Sequence, residues 1–574
     1  MTTVPQPRIS RHLTAEALMA GARWPDAAPP VVLALAGLFT ASRRFQEAYE
    51  FFDELAGQQP DKPLFLAVAG AFEARIPGHL EQAIDKLDAA VKAAPGLPHY
   101  FRGLTLAEVP LEAGRATDAI ADLELVLSLG DRFPVGLRRA VFRALGQAYD
   151  LLGRSQDARD ARRKAGLDVQ PDLPPLTTDN WVTEADGFRF GPRKFRELAD
   201  GVHVTQGFGF GEIAFIVTET SLVVIDAGST NEQARAALLA MREISALPVS
   251  HVILTHGHWD HVGGLDELRG PGVEVIAQTG FAAELEVGNS VSVRWGRFLP
   301  AGTDRQLAVV PDRLVGEPET LTVGGVELRL LPVHGGETHD ALLIHLPARG
   351  ITFVGDILMP HLGAPFFPEG SLDGLLDTLA LIDDLKPALL VHGHAPLTAG
   401  FTVSALAGLR PALHELYQVI RDDIAAGRSV FDILGRNHMP DVLRTHPDAV
   451  LPYIVLRDNV IRRVQRQRTG YWQPDLDSID PISLPEWAAV LELVSGGKVD
   501  VYTGAIANLL DRDDLTLALR LADAALENHP GDAAIAELRQ QTLLRLTQRH
   551  QNQAPFKFIV YSELAGITVP ELTD

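Results

Sequence analysis

Four side chains able to hold a metal stand within six positions of one another, at His256, His258, Asp260 and His261. They follow His251-Val252-Ile253-Leu254, an apolar stretch with the composition of a buried strand. A strand that ends in a tight loop can turn alternate side chains toward one point. His256 and His258 share a parity and can reach one cation, while Asp260 and His261 can reach a second. Imidazole and carboxylate suit a borderline cation such as Zn²⁺. The chain has no cysteine, so thiolate ligands and disulfides are excluded and any tight metal site must draw on His, Asp and Glu. Gly263-Gly264 lets the next stretch of backbone pass close to the site without a Cβ in the way. The competing reading is a polar surface loop with three histidines; four donors directly after a buried strand weigh against it.

The elements that must position these residues follow a strand, helix, strand pattern. Ser221-Leu222-Val223-Val224-Ile225-Asp226 reads as a buried strand ending in an acid. A helix is expected from about Asn231 to Ile244, then the strand before the metal loop, and later a helix over 372–385 and the strand Ala388-Leu389-Leu390-Val391. Gly207-Phe208-Gly209-Phe210-Gly211 lacks the Lys-Ser/Thr of a phosphate loop and is expected to be a flexible hairpin at the mouth of the site. Trp259, Trp295 and Phe366-Phe367 are candidates for an apolar substrate wall or, more commonly, for core packing.

On either side the pattern is helical. Ala48, Ala83, Ala119 and Ala158 head comparable amphipathic segments, and this period resembles the tetratricopeptide repeat. The expected division is a TPR-like helical domain over 1–170, a linker over 171–180, a catalytic domain over 181–400 and a helical domain over 401–574.

Thr255 to Gly264 matches the HxHxDH signature of the metallo-β-lactamase superfamily, and the resemblance covers about residues 195 to 400. It implies an α+β fold, an αββα sandwich with metals at one edge of two packed sheets, here flanked by N-terminal and C-terminal helical domains. Asp226 then matches the family's buried aspartate, Asp356 its bridging carboxylate and His394 its final histidine. The family's usual third histidine of the first metal falls at Glu337, nineteen positions before Asp356. A glutamate there resembles the alkylsulfatase branch. His339, of the same strand parity, and His334, on the preceding turn, compete for the place. Gly470-Tyr471-Trp472, Gly497-Lys498-Val499-Asp500 and the paired helices ending near Pro530 resemble the alkylsulfatase dimerization domain, which implies a homodimer. Two features depart from that branch: Asp356 stands where it has a glutamate, and its Asn- and Arg-bearing segment does not follow Asp356.

The resemblance implies two divalent ions, Zn²⁺ being expected, held by His256, His258 and Glu337 and by Asp260, His261 and His394, with Asp356 between them. Asp260 and Asp226 are the expected catalytic residues, Asp226 acting behind a ligand histidine or the attacking water. The expected reaction is hydrolysis of a small-molecule ester, foremost a sulfate ester with an apolar portion. The alternatives are lactamase, lactonase, thioesterase or phosphodiesterase chemistry, or a non-catalytic scaffold whose helical repeat binds a partner protein. A net charge of -23 argues against nucleic acid as a partner. The basic run Arg462 to Arg468 reads as a solvated helix face or an interface. Residues 1–16 lack the continuous apolar region of a secretory signal, and the longest apolar run nearby, Val31 to Thr40, is too short to span a membrane, so a cytoplasmic location is expected.

Overall fold

The computed structural model describes residues 15–23, 27, 29–41, 44–109, 114–130, 133, 137–165, 182–184, 187–189, 193–290, 306–359, 370–469, 480–550 and 555–566. Trp295, Phe366-Phe367, the 171–180 linker and the Gly470-Tyr471-Trp472 stretch of the C-terminal resemblance lie outside these residues. The chain separates into two compact units, one built on residues 182–481 and one on residues 21–181 with 482–570.

The first unit holds two large sheets and a small two-stranded one, Val182–Glu184 paired with Gly187–Arg189. One large sheet runs in chain order through β1 (Lys194–Ala199), β2 (Val202–Gln206), β3 (Ala214–Val217), β4 (Leu222–Ile225), β5 (Val249–Ile253), β6 (Glu274–Gln278) and β7 (Arg313–Val315). The other contains β8 (Glu319–Val323), β9 (Val326–Pro332), β10 (Leu342–Leu346), β11 (Ile351–Gly355) and β12 (Leu389–His392). Strand parity decides which face each residue serves. Val223 and Ile225 join Ile253, Leu330, Ile344, Phe353 and Val391 in the core between the sheets. Leu222 and Val224 point the other way, against Ala234, Ala237 and Met241 of helix α1 (Asn231–Arg242). Strands buried on both faces read as continuous apolar runs, which is why β4 and β11 are Leu-Val-Val-Ile and Ile-Thr-Phe-Val-Gly.

Helix α2 (Leu372–Leu385) starts at a Ser371 side-chain cap and links β11 to its parallel neighbour β12. Helices α3 (Val403–Ala425) and α4 (Val450–Thr469) pack on each other and on α2, so they belong to the same unit as the sandwich.

In the second unit, helices Phe45–Gln58, Pro63–Glu73, Leu80–Ala93, Leu97–Glu108, Ala116–Ser128, Arg138–Leu151 and Ser155–Lys164 pack in sequence. Ala48, Ala83, Ala119 and Ala158, the residues that carry the period, are all fully buried. Helices from Leu484 to Leu564 form their own core around Tyr502, Ile506, Leu519 and Leu543. Helix Ala533–His550 also packs against helix Pro29–Ala41 near the other end of the chain. The helices expected as one block over 401–574 therefore fall into two groups, divided near residue 481 by what each buries its apolar face against.

Candidate metal centre

The carboxyl ends of four parallel-paired strands supply most of the site, with β4 beside β5 in one sheet and β11 beside β12 in the other. Asp226 follows β4 with φ 59°, a left-handed conformation that aspartate tolerates better than most residues. β5 feeds the loop carrying His256 to His261, whose last turn is the short helix Trp259–Val262. Asp356 follows β11, and His394 follows β12 by two positions. Glu337 comes from the loop between β9 and β10.

These residues meet as two groups of donors. His256, His258 and Glu337 form one, and Asp260, His261, Asp356 and His394 the other. Within each, the donor atoms lie within 4.8 Å of one another. The rings of His256 and His261 are 4.2 Å apart between centroids, so the groups are neighbours. Glu337 Oε2 lies 3.2 Å from His258 Nδ1 and 3.5 Å from His256 Nε2. Asp356 Oδ2 lies 2.9 Å from His394 Nε2 and 3.4 Å from His261 Nε2. Asp260 Oδ2 is 3.4 Å from His394 Nε2 and 3.6 Å from His261 Nε2. All seven residues are buried except His258, which is half-buried.

His256, His261 and His394 are each set by a partner on the far nitrogen. His261 Nδ1 donates to Asp226 Oδ2 at 2.9 Å, and His394 Nδ1 donates to the Phe210 carbonyl at 2.7 Å. His256 Nδ1 meets Thr255 Oγ1 at 3.1 Å, and that hydroxyl donates in turn to Asp226 Oδ2 at 2.8 Å. Each arrangement leaves Nε2 facing the other donors. The other oxygen of Asp226 accepts from the Thr255 amide at 2.7 Å. Both its oxygens are thus spent on protein groups. Asp226, expected among the catalytic residues, orients His261 directly and His256 through Thr255.

The donor set fits a divalent cation on two grounds. Nε2 of His256 and of His261, Oε2 of Glu337 and Oδ1 of Asp356 are buried without a hydrogen-bond partner among the described residues, a costly state for a group that nothing else satisfies. The charges also call for a cation. Burial alone would lower His394, but Asp356 and Asp260 outweigh it and hold the imidazole up at about 10. Burial would raise Asp260, yet His261 and His394 bring it down to about 2. Glu337 is lowered against its own burial, chiefly by His258, then by His256. In the second group the carboxylates thus favour protons on His261 and His394, where a cation would otherwise balance them.

His339 and His334 stand apart from both groups. Their side chains are exposed, and His334 Nδ1 donates to the His339 carbonyl at 3.0 Å. The 207–211 loop, expected as a flexible hairpin, is packed into the site instead. Phe210 is buried, stacks on Trp259 at 5.6 Å between centroids and meets the His394 ring edge-on at 4.9 Å. Gln233 Nε2 ties the Gly211 carbonyl to α1, and a Cβ at Gly211 would collide with the Asp260 carbonyl. The sequence expectation does not include Thr255 or the Phe210 carbonyl as site groups. Thr255 is marked only by its place beside the first histidine, whereas the Phe210 carbonyl is a backbone atom 184 positions from its partner and leaves no mark in the sequence.

Comparison with known proteins agrees with this geometry. Residues 207–394 match the metallo-beta-lactamase superfamily model. The alkyl/aryl-sulfatase BDS1 of Saccharomyces cerevisiae is 23% identical over 329 residues, 50% of this chain and 50% of its own, so the chain spans about half the length of that relative. A hydroxyacylglutathione hydrolase of Cereibacter sphaeroides is 28% identical over 202 residues, 35% of this chain and 68% of its own. The solved structure of the stereoselective inverting sec-alkylsulfatase Pisa1 from Pseudomonas sp. is similar in fold, with a TM-score of 0.56 at 19% identity over 66% of each chain. Residues 207–394, which hold both donor groups, therefore match the metallo-beta-lactamase superfamily model, and the chain is similar in fold to an alkylsulfatase.

Proposed function

We propose that this chain is a two-metal hydrolase whose substrate is an organic sulfate ester. The observation that carries the proposal is the pair of adjacent donor groups with Glu337, not a histidine, completing the first. His256, His258 and Glu337 would hold one ion, and Asp260, His261 and His394 the other. Asp356 would join them, its Oδ2 directed to the second group and its Oδ1 left without a protein partner. When bound, two such ions supply a water acidified from roughly 16 to about 7 and a sink for charge on the departing oxygen. Both oxygens of Asp226 already accept from Thr255 and His261, so among the two expected catalytic carboxylates the proton-accepting role would fall to Asp260. Glu337 adds a negative charge where a neutral histidine would stand, which lowers the net positive charge that the site offers an anionic substrate. Trp259, half-buried and stacked on Phe210 beside the donors, supplies an apolar wall for the organic portion.

A second reading, thioester hydrolysis, is favoured by the similarity to hydroxyacylglutathione hydrolase. One panel separates the two. Purified protein with its metal content measured is assayed on dodecyl and secondary-alkyl sulfates, a hydroxyacyl thioester, a phosphodiester, a lactone and a chromogenic lactam. Sulfate release well above background, with weaker turnover of the rest, is expected. Background sulfate release beside rapid thiol release would replace the first reading by the second.

A further inference from the structure

Helix α4 lies outside the sandwich, yet one of its faces reaches the loops that carry the donors. Asn459, Arg463 and Gln467 are four apart, so they share that face. Arg463, nearly buried, donates through Nη1 to the Gly336 carbonyl, one residue before Glu337. Gln467 Nε2 donates to the Gly370 carbonyl at 3.0 Å, and the Gly370 amide donates to the Glu337 carbonyl at 2.9 Å. Asn459 Nδ2 reaches the Met359 carbonyl, three residues past Asp356, at 3.4 Å. The Glu337 turn is thus gripped on both sides, by Arg463 at the preceding carbonyl and by Gln467 through Gly370. Its inner side has no slack: Gly336 has φ +101°, and a Cβ there would stand 2.7 Å from the Ile357 Cα, next to Asp356. Asp260, His261, Asp356 and His394 follow strands of the two sheets, whereas Glu337 comes from a loop between strands.

We propose that Arg463, seconded by Gln467, is a positioning residue that fixes Glu337, so that the affinity of the first cation site is set by a helix outside the catalytic sandwich. This rests on the two-metal reading above. The two sites should then respond differently to change in α4. The His256–His258–Glu337 site should weaken, and the Asp260–His261–Asp356–His394 site should not.

The test uses full-length protein carrying Arg463→Met, Arg463→Lys or Gln467→Met. Zn²⁺ is titrated into each metal-free protein against a competing chelator, and hydrogen exchange is followed in the metal-free state. Wild type should take two equivalents. Arg463→Met should bind one of them about ten- to a hundredfold more weakly, the scale on which outer partners act, and keep the other unchanged. Gln467→Met should show a smaller effect of the same kind, and Arg463→Lys, which keeps a donor, should recover part of the loss. In metal-free Arg463→Met, a peptide spanning 334–340 should exchange faster while one spanning 256–261 does not. Unchanged affinities with unchanged exchange would overturn the proposal, and so would equal weakening of both equivalents with faster exchange throughout, the signature of a merely structural arginine. A wild type that takes fewer than two equivalents would remove the two-metal reading, and the exchange comparison would then decide by itself whether Arg463 holds the turn.

Discussion

At the scale of single residues, the choice among Glu337, His339 and His334 shows how strand parity can narrow an assignment without completing it. Glu337 and His339 share a parity, but residues 334–340 form a loop rather than a strand, so alternation ceases to govern direction there. The Gln278 side chain and the His334 ring both donate to the His339 carbonyl, at 3.1 and 3.0 Å, and that end of the loop turns outward. Glu337→Ala should remove one equivalent of metal and lower turnover by more than about a hundredfold, beyond what outer partners carry. His339→Ala should change either by less than about twofold. Metal analysis beside kcat would decide, and the reverse order would move the ligand to His339. Thr255 makes a finer case. Its hydroxyl connects His256 to Asp226, which also holds His261, so one carboxylate orients a ring in each donor group. Thr255→Val keeps the shape and removes the link. Zn²⁺ affinity should fall by about ten- to a hundredfold with folding retained, and unchanged affinity would show that the link contributes nothing.

At the scale of elements, the strands and helices that carry the donors were legible because each has a strong local signature. The apolar runs around Val223 and Val252 announce strands buried on both faces, and the Ser371 cap and the spacing of Leu372, Leu375, Leu379 and Ile382 announce α2. The close passage expected at Gly263-Gly264 is also present, since a Cβ on either would run into the carbonyls of Ser229 or of Ala227 and Thr230. What could not be read are contacts between elements far apart in the chain. Arg463 lies in a basic run whose composition suggests a solvated face or an interface, and its partner is a carbonyl 127 positions away in the same chain. Nothing local distinguishes it from Arg466, which is exposed on the same helix, so burial had to come from the fold. The turn after β12 makes an element-scale prediction. A Cβ on Gly393 would collide with Asp356 Oδ1 and with the His261 ring, in the middle of the second donor group. Gly393→Ala should therefore cost the ion held by Asp260, His261 and His394 while circular dichroism stays that of the wild type. Retention of both equivalents would show that the loop can yield without disturbing the donors.

At the scale of the whole molecule, the helical period predicted helices over the first 170 residues but not what they would bury themselves against. A repeat pattern specifies a neighbour on each side and is silent about the partner at its end. Here helix Pro29–Ala41 meets helix Ala533–His550, a pairing across nearly the whole chain. Global stability offers the last test, through a carboxyl group buried beneath the donors. Glu212 accepts from Thr205 Oγ1 at 2.9 Å, and its backbone amide donates to the Gly393 carbonyl at 2.7 Å, which binds the start of β3 to the His394 loop. Burial pushes its carboxyl up to about 8 from an ordinary 4.5, against smaller opposing effects of Thr205 and His394. An acid whose folded value is raised gives up its proton more readily when the chain unfolds, so between pH 4.5 and about 8 the unfolded state binds fewer protons and stability falls as pH rises. Each pH unit in that window is worth up to about 1.4 kcal/mol. Glu212→Gln cannot ionise and escapes this loss. In metal-free protein, denaturant unfolding should find the variant gaining on wild type steadily from pH 5 to pH 8, whatever their difference at pH 5. A difference that stays constant across that range would mean that Glu212 is ionised in the folded protein throughout, and that the His394 loop is held by a charge rather than by a neutral hydrogen-bonding group.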